Sequence, residues 1–334
     1  MSGIAQPNCN AAKLKELILP LPPLPEQHRI VSAIEALFSR LDATNEKLDR
    51  EPEILKKFRK SVLAAACEGK LTKEWRKQKL FCDEYFATDE DQFNLIKQWE
   101  IPTIWLWTTL EDSCSHIVDC PHSTPKWTDT GVYCVRTSEL KPGYIDFSNV
   151  KFVSEIIYLE RVKRLEPQEG DILYSREGTV GIASLVPSNV KICLGQRLML
   201  FRTKNIIIPN FFVKVLNSPY IYGSVLKNTM GSTAPRINVA DIKKFPIPFP
   251  PLPEQQEIVH RVDALFAFAD SIEAKVKAAR ENTEKLRQSI LAKAFSGELV
   301  PTETELARKE GRDYEPAETL LERIKVERKS DKKR

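Results

Sequence analysis

Five basic residues sit in or beside short turn-like segments: Lys126 in "HSTPKW", Arg136 in "VRTSE", Arg176 in "SREGTVG", Arg197 in "LGQRLM" and Arg236 in "GSTAPRIN". A guanidinium pairs bidentately with a guanine edge, Asn and Gln match adenine, and hydroxyls or amines reach phosphates. The chemistry on offer is hydrogen-bonded reading of nucleic acid. Its candidates are Ser123, Thr124, Lys126, Arg136, Ser175, Arg176, Gln196, Arg197, Ser232, Thr233, Arg236 and Asn238. The same residues would also suit an ordinary solvated surface, and spacing alone does not choose between the two.

Other chemistries have less to stand on. "CSHIVDCPH" places Cys114, His116, Cys120 and His122 within nine residues, but without the distant second pair of a zinc finger. Buried thiols and a loop histidine are the expectation there, and no metal. "NSPY" at Asn217 to Tyr220 is similar to the base-holding loop of amino-methyltransferases. Its second residue is Ser218, it lies within a helical pattern, and no Gly-rich cofactor loop precedes it. A break in a helix is the expectation. The chain has no phosphate-cradling "GxxxxGK" loop, no "HExxH" and no "GxSxG", and its four histidines are scattered.

The candidate readers belong to a segment of short apolar runs broken by Gly, Pro and Ser. "VYCVRTS", "GDILYS", "IASLV" and "LMLFR" read as strands, and "NFFVKVLNSPYIYGSVLKN" as helix, giving a mixed α/β domain over 101–244. Flanking it is a repeat. "PLPPLPEQ" at Pro20 returns as "PFPPLPEQ" at Pro248, and with an offset of 228 and no gap 28 of the 70 pairs between 3–72 and 231–300 are identical. Each copy continues into an apolar stripe at alternating spacings of four and three: Ile30, Ile34, Leu37, Leu41, and Ile258, Val262, Leu265, Ala269. That is a heptad seam, and each copy predicts one helix of about 40 residues, about 60 Å long. Prolines are tolerated only in the first turn, and Gly69 and Gly297 are placed as C-terminal caps. Pro52 predicts a kink in the first helix alone. The two helices are expected to pack on each other, within or between chains, and a stripe does not distinguish parallel from antiparallel.

Composition narrows little further. The chain has 334 residues, a net charge of +4 and seven cysteines without a C-x-x-C, which fits free thiols in a reducing compartment. Between Ile101 and Lys244 there are 17 Lys or Arg against 13 Asp or Glu, so placement matters more than excess. No apolar run reaches the roughly 18 residues of a membrane span, and a cytoplasmic location without membrane contact is expected.

The repeated "PLPPLPEQ" with its long helix, together with "DCPHSTPKW", "GDILYSREGTVG", "LGQRLMLFR", "GKLTKEWR" and "GRDYEPAETLLERI", resembles the specificity subunit of type I restriction-modification systems across nearly the whole chain. The resemblance implies an α/β (α+β) target recognition domain with two long coiled-coil-like spacer helices. It divides the chain into the remnant of a first recognition domain (1–19), a Pro-rich lead-in and central spacer helix (20–72), a linker (73–100), the recognition domain (101–244), a second lead-in and distal helix (245–300), and a tail with a short helix and basic end (301–334). It implies a non-catalytic subunit that reads one half of an interrupted target in double-stranded DNA. Modification (methyltransferase) subunits and a restriction or motor subunit are the implied partners, with S-adenosylmethionine and ATP bound on those partners and no cofactor on this chain. Because the body of a first recognition domain does not precede Gly3, a homodimer reading a palindrome is an expectation too. The competing reading is a regulatory or structural fragment that assembles without reading DNA.

Overall fold

Proline and glycine positions set the ends of the longest elements. The computed structural model describes residues 18–79, 99–231 and 235–331. It divides into two units, 1–52 with 272–334, and 53–271. The first 17 residues, Cys82 and most of the linker, Ser232, Thr233 and the last three residues of the basic end lie outside the described residues.

In the first unit, α1 (Leu24–Asp49) follows the Pro-rich lead-in, with Pro25 in its first turn, where no intrahelical N–H is required. The helix stops at Arg50 and resumes as α2 (Glu51–Cys67), with Pro52 in the new first turn. The kink expected at Pro52 is thus a one-residue interruption just before it. The cause is the missing N–H and the ring's clash with the preceding turn. In the second unit α2 is followed by the short α3 (Lys73–Gln78). Gly69 takes φ +65 just beyond α2, the left-handed conformation of a helix stop.

The remainder of the second unit is layered. After β1 (Leu106–Thr109) and the single turn α4 (Leu110–Ser113) come β2 (Cys114–Asp119), β3 (Trp127–Thr128), β4 (Val132–Val135), the small hairpin β5 (Leu140–Lys141) and β6 (Tyr144–Ile145), and β7 (Lys151–Val153). Then follow α5 (Glu155–Arg161), β8 (Ile172–Ser175), β9 (Ala183–Leu185), β10 (Ile192–Leu194), β11 (Leu198–Thr203), α6 (Pro209–Leu216), α7 (Pro219–Asn228), α8 (Val239–Lys243) and β12 (Pro246–Phe249). One sheet runs β2-β11-β8-β9, all antiparallel, and another β10-β4-β7-β3, with only β10 and β4 parallel. β1 pairs separately with β12.

Side-chain alternation decides how these layers stack. On β8 and β11, Ile172, Tyr174, Met199 and Phe201 face a core shared with Phe211, Phe212, Ile221 and Val225 of the helices, whereas Leu173, Leu198 and Leu200 face the second sheet. A strand buried on both faces reads as an unbroken apolar run, as "LMLF" does. Beyond the second sheet, Cys134 and Cys193 turn to Tyr158 of α5. The segment expected to be helical is two helices, α6 and α7, broken where Ser218 accepts a bond from Ile221 N and Pro219 begins the next turn.

The last long element, α9 (Leu252–Ser296), is 45 residues without interruption, and Gly297 follows it at φ +77. Within the second unit it pairs with α2: Arg59 reaches Asp270 at 2.8 Å and lies over the Phe266 ring. Within the first unit it pairs with α1: Arg287 bonds Asp42 and lies over Phe38, while Arg280 reaches Asp49 at 3.0 Å. In the first unit rising numbers on α1 meet falling numbers on α9, and in the second Arg261 donates to Leu71 O, just past α2, at 2.7 Å, so each pairing is antiparallel. Phe38, Asp42 and Arg59 lie 228 residues before Phe266, Asp270 and Arg287, the offset of the repeat. The same three-residue contact is therefore made twice, once by each copy in each role. In the first unit the chain closes with α10 (Glu303–Glu310), which begins in a capping box formed by Thr302 and Glu305, and α11 (Ala317–Asp331).

Candidate nucleic-acid interface

The strand order brings one end of both sheets together. β2 ends at Asp119 and β8 at Ser175, while β11, antiparallel to both, starts at Leu198 beside them. β4 and the parallel β10 end in register at Val135 and Leu194. The loops leaving these ends, 120–126, 136–139, 176–181 and 195–197, share one edge with 230–231 and 235–238. Backbone bonds join them: Arg176 N donates to Arg197 O at 3.1 Å, Gly178 N to Pro235 O at 2.8 Å, and Gly195 N to Val135 O at 2.6 Å. Gly195 is needed there because a Cβ would stand 2.7 Å from Val135 O.

Ser123, Thr124, Lys126, Arg197, Arg236 and Asn238 are exposed on this edge. The side chains of Lys126, Arg197 and Arg236 make no hydrogen bond or ion pair among the described residues, so all three charges face solvent. Arg197 has φ +73, a left-handed conformation that is uncommon outside glycine and costs about 1 kcal/mol or more. Gln196 donates to His122 O at 2.6 Å, fastening the 195–197 turn to the 120–126 loop. Asn238 begins α8, with Nδ2 3.5 Å from the Met230 sulfur.

Three of the sequence candidates are engaged with the fold. Arg176 is 9% exposed, with Nε and Nη2 each 2.9 Å from the Asp119 carboxylate and Glu177 at 3.2 Å. Ser175 is buried, and its hydroxyl accepts from Ile182 N at 2.9 Å. These two hold the 176–181 loop in place. Arg136 is half-buried, paired through its backbone N–H and guanidinium with Glu139, and lies over the Trp127 ring. Ser232 and Thr233 lie outside the described residues.

Two supporting residues escape a reading of the sequence. Arg161 on α5 is buried and donates to Leu194 O, Ser123 O and Pro121 O at 2.6, 3.2 and 3.2 Å. Asp119 is the carboxylate beneath Arg176. Both were hidden because an arginine within "LERVKR" and an aspartate at the end of an apolar strand look like ordinary surface charges. Their partners lie tens of residues away.

The other motifs fold into the scaffold. Cys114 and Cys120 are buried, and burial pushes the Cys114 thiol up to about 12. Among the described residues no three His, Cys, Asp or Glu side chains gather as a metal site. Asn217 bonds both backbone groups of Ala183 at 2.8 and 3.1 Å, and Tyr220 stacks on Trp99. The "NSPY" segment is therefore a pinned helix break. At the other end of the unit, Glu254 in the first turn of α9 is fully buried, accepting from Thr72 at 2.6 Å, Trp105 at 2.8 Å and Arg76. Next to it, Gln255 accepts from Ile208 N at 2.9 Å and donates to Ile206 O at 3.0 Å, tying the start of α6 to the long helix.

Comparison with known proteins bears on this edge. The family model described as "Type I restriction modification DNA specificity domain" matches residues 1–51 and 130–281. The Type I restriction enzyme EcoBI specificity subunit of Escherichia coli is 32% identical over 338 residues, covering 98% of this chain and 68% of that protein. The EcoKI specificity subunit of Escherichia coli strain K12 is 32% identical over 336 residues, covering 96% and 66%. Among solved structures, the HsdS subunit from Thermoanaerobacter tengcongensis superposes with a TM-score of 0.53 at 23% identity, covering 90% of this chain and 65% of that one. A chain from a structure on complex assembly and conformational transition of the type I R-M system gives 0.60 at 21%, covering 89% and 66%. These two share the fold. The chain spans about two thirds of the length of the relatives it matches.

Proposed function

We infer, because this chain belongs to the family of type I restriction-modification DNA specificity subunits, that the edge carrying Lys126, Arg197, Arg236 and Asn238 reads one half of an interrupted target in double-stranded DNA. The observation that carries the reading is the convergence of loops from five parts of the sequence onto one edge whose exposed cations have no partner among the described residues. Cations left free on a rigid support are suited to phosphates and base edges, and buried pairs such as Arg176 with Asp119 supply the rigidity. The antiparallel helix pairs serve as the scaffold on which modification subunits, and with them a restriction subunit, assemble. In this reading the chain is cytoplasmic and performs no methyl transfer itself. S-adenosylmethionine and ATP are bound by the partners. Among the described residues no helix is long and apolar enough to cross a membrane.

Binding measurements on the chain assembled with its modification subunit test the assignment. Arg236→Ala should cost about 1–3 kcal/mol at the preferred sequence if the guanidinium pairs with a base. Lys126→Ala should weaken all sequences alike and lower the salt slope by about one. Arg197→Gly is the more informative change, since glycine accepts φ +73 freely: the fold should hold or gain up to about 1 kcal/mol while DNA affinity falls. Parent-like affinity in all three variants would remove DNA from this edge.

A further inference from the structure

Met230 was not among the residues whose chemistry suggested reading, yet the fold sets it among them. Its backbone pairs with Arg236 through two reciprocal bonds, Met230 N to Arg236 O at 2.9 Å and Arg236 N to Met230 O at 3.0 Å. Residues directly opposed in an antiparallel pair project from the same face, so the thioether and the guanidinium stand side by side. Asn238 closes the group, its Nδ2 3.5 Å from the Met230 sulfur. Met230 is 49% exposed, and the extended Thr229 ends α7 before it, so it does not share the helical row of the exposed Tyr222 and Leu226.

Resting on the proposed reading of DNA by this edge, we propose that Met230 is a specificity-determining residue that reads the C5-methyl group of a thymine next to the base recognised by Arg236 or Asn238. On the major-groove edges of the four bases that methyl is the only apolar group, and it discriminates thymine where donors and acceptors alone leave a carbonyl. An exposed thioether gains nothing beside a phosphate, and a flexible, polarisable side chain packs well on a methyl. The bond from Asn238 holds the sulfur within the polar group rather than with the apolar side chains of α7. That placement favours DNA over an apolar protein partner as the group that covers Met230.

Deoxyuridine in place of thymine removes that methyl alone, which makes the test specific. Each thymine of the preferred half-site is replaced in turn, and affinity is measured for the parent, Met230→Ala, Met230→Leu and Arg236→Ala, each assembled with the modification subunit. For the parent, one position should lose about three- to fivefold on replacement, the scale of one buried methyl. Met230→Ala should bind thymine and uracil equally at that position, and Met230→Leu should keep part of the preference. A thymine preference that persists undiminished in Met230→Ala, or its absence in the parent, overturns the proposal. So does Met230→Ala losing the modification subunit rather than the thymine preference. Arg236→Ala separates this from the reading beneath it: if that variant binds less tightly while Met230→Ala keeps the preference, DNA reading stands and the role of Met230 falls. If Arg236→Ala binds as the parent does, and Lys126→Ala and Arg197→Gly do too, the reading itself has failed.

Discussion

Glu254→Ala should lower the free energy of unfolding by about 3–5 kcal/mol, the cost of leaving a buried charge without its partner. The Glu254 carboxylate is wholly buried in the first turn of α9 and receives three donors: the Thr72 hydroxyl and Arg76 guanidinium from the cap and body of α3, and the Trp105 indole just before β1. Arg76 also donates to Gly69 O at 2.7 Å and lies over the Trp105 ring, so it cannot leave without unpacking that ring. Alanine would take the acceptor from all three donors at once and leave the Arg76 guanidinium, only 15% exposed, without a counter-charge. Glu254→Gln keeps the shape and one acceptor, and its loss should be smaller. The repeat supplies an internal comparison, because Glu26, 228 residues earlier, accepts 2.7 Å from Glu303 N and has no ion pair among the described residues. Glu26→Ala should therefore cost only about 1 kcal/mol, one backbone bond. Urea unfolding followed by circular dichroism of the helices reads both values, since all five tryptophans lie in the second unit. Equal losses at the two positions would mean that the charge cluster is not what fastens the start of α9.

Asp119→Ala should produce the second large effect, on stability and DNA affinity together. Arg176 meets Asp119 through two 2.9 Å bonds and is nearly buried, so removing the carboxylate leaves the guanidinium only Glu177 at 3.2 Å and a long 3.5 Å bond to Ile237 O. Because those contacts remain, the expected loss of stability is about 2–3 kcal/mol, at or below the lower end of the range for a buried pair. The backbone of Arg176 bonds Arg197 O and receives Ile237 N at 2.9 Å, so any shift there moves the segments carrying Arg197 and Arg236 as well. Affinity for the preferred sequence should fall at least tenfold, because a contact displaced by about 1 Å no longer pairs bidentately. Removing both charges in Asp119→Ala/Arg176→Met should recover much of the stability. Asp119→Ala binding DNA as the parent does would show that the ion pair does not position the edge.

Much of the scaffold was legible from local pattern. A Pro-rich lead-in with seven of eight residues the same, a heptad stripe and a terminal glycine, each found twice at one offset, specify two long helices. The apolar runs around Ile172 and Leu198 specify strands buried on both faces. What the stripe left open, parallel or antiparallel, is decided by pairs of contacts: Asp42 with Arg287 and Asp49 with Arg280 in one unit, and Arg59 with Asp270 and Leu71 O with Arg261 in the other, run in opposed order. The edge was legible only in part. Lys126, Arg197 and Arg236 stand exposed where turn chemistry placed them. Arg176 looks identical to them in sequence, because a guanidinium in a Gly-containing turn can face water or a carboxylate 57 residues upstream, and only the β2-β11-β8 pairing brings Asp119 beneath it. Met230 was silent for the same reason, since a lone methionine past a helix gains meaning only when its backbone pairs with Arg236.

The central claim, that this edge reads DNA sequence, is tested most directly by selection from a randomised duplex library with the chain assembled on its modification subunit. The expected result is enrichment of one fixed short sequence, abolished or relaxed at defined positions in Arg236→Ala and Arg197→Gly, with affinity that falls as salt is raised. An assembly that binds the library with the same salt dependence but enriches no sequence, or enriches the same sequence in both variants, would contradict it.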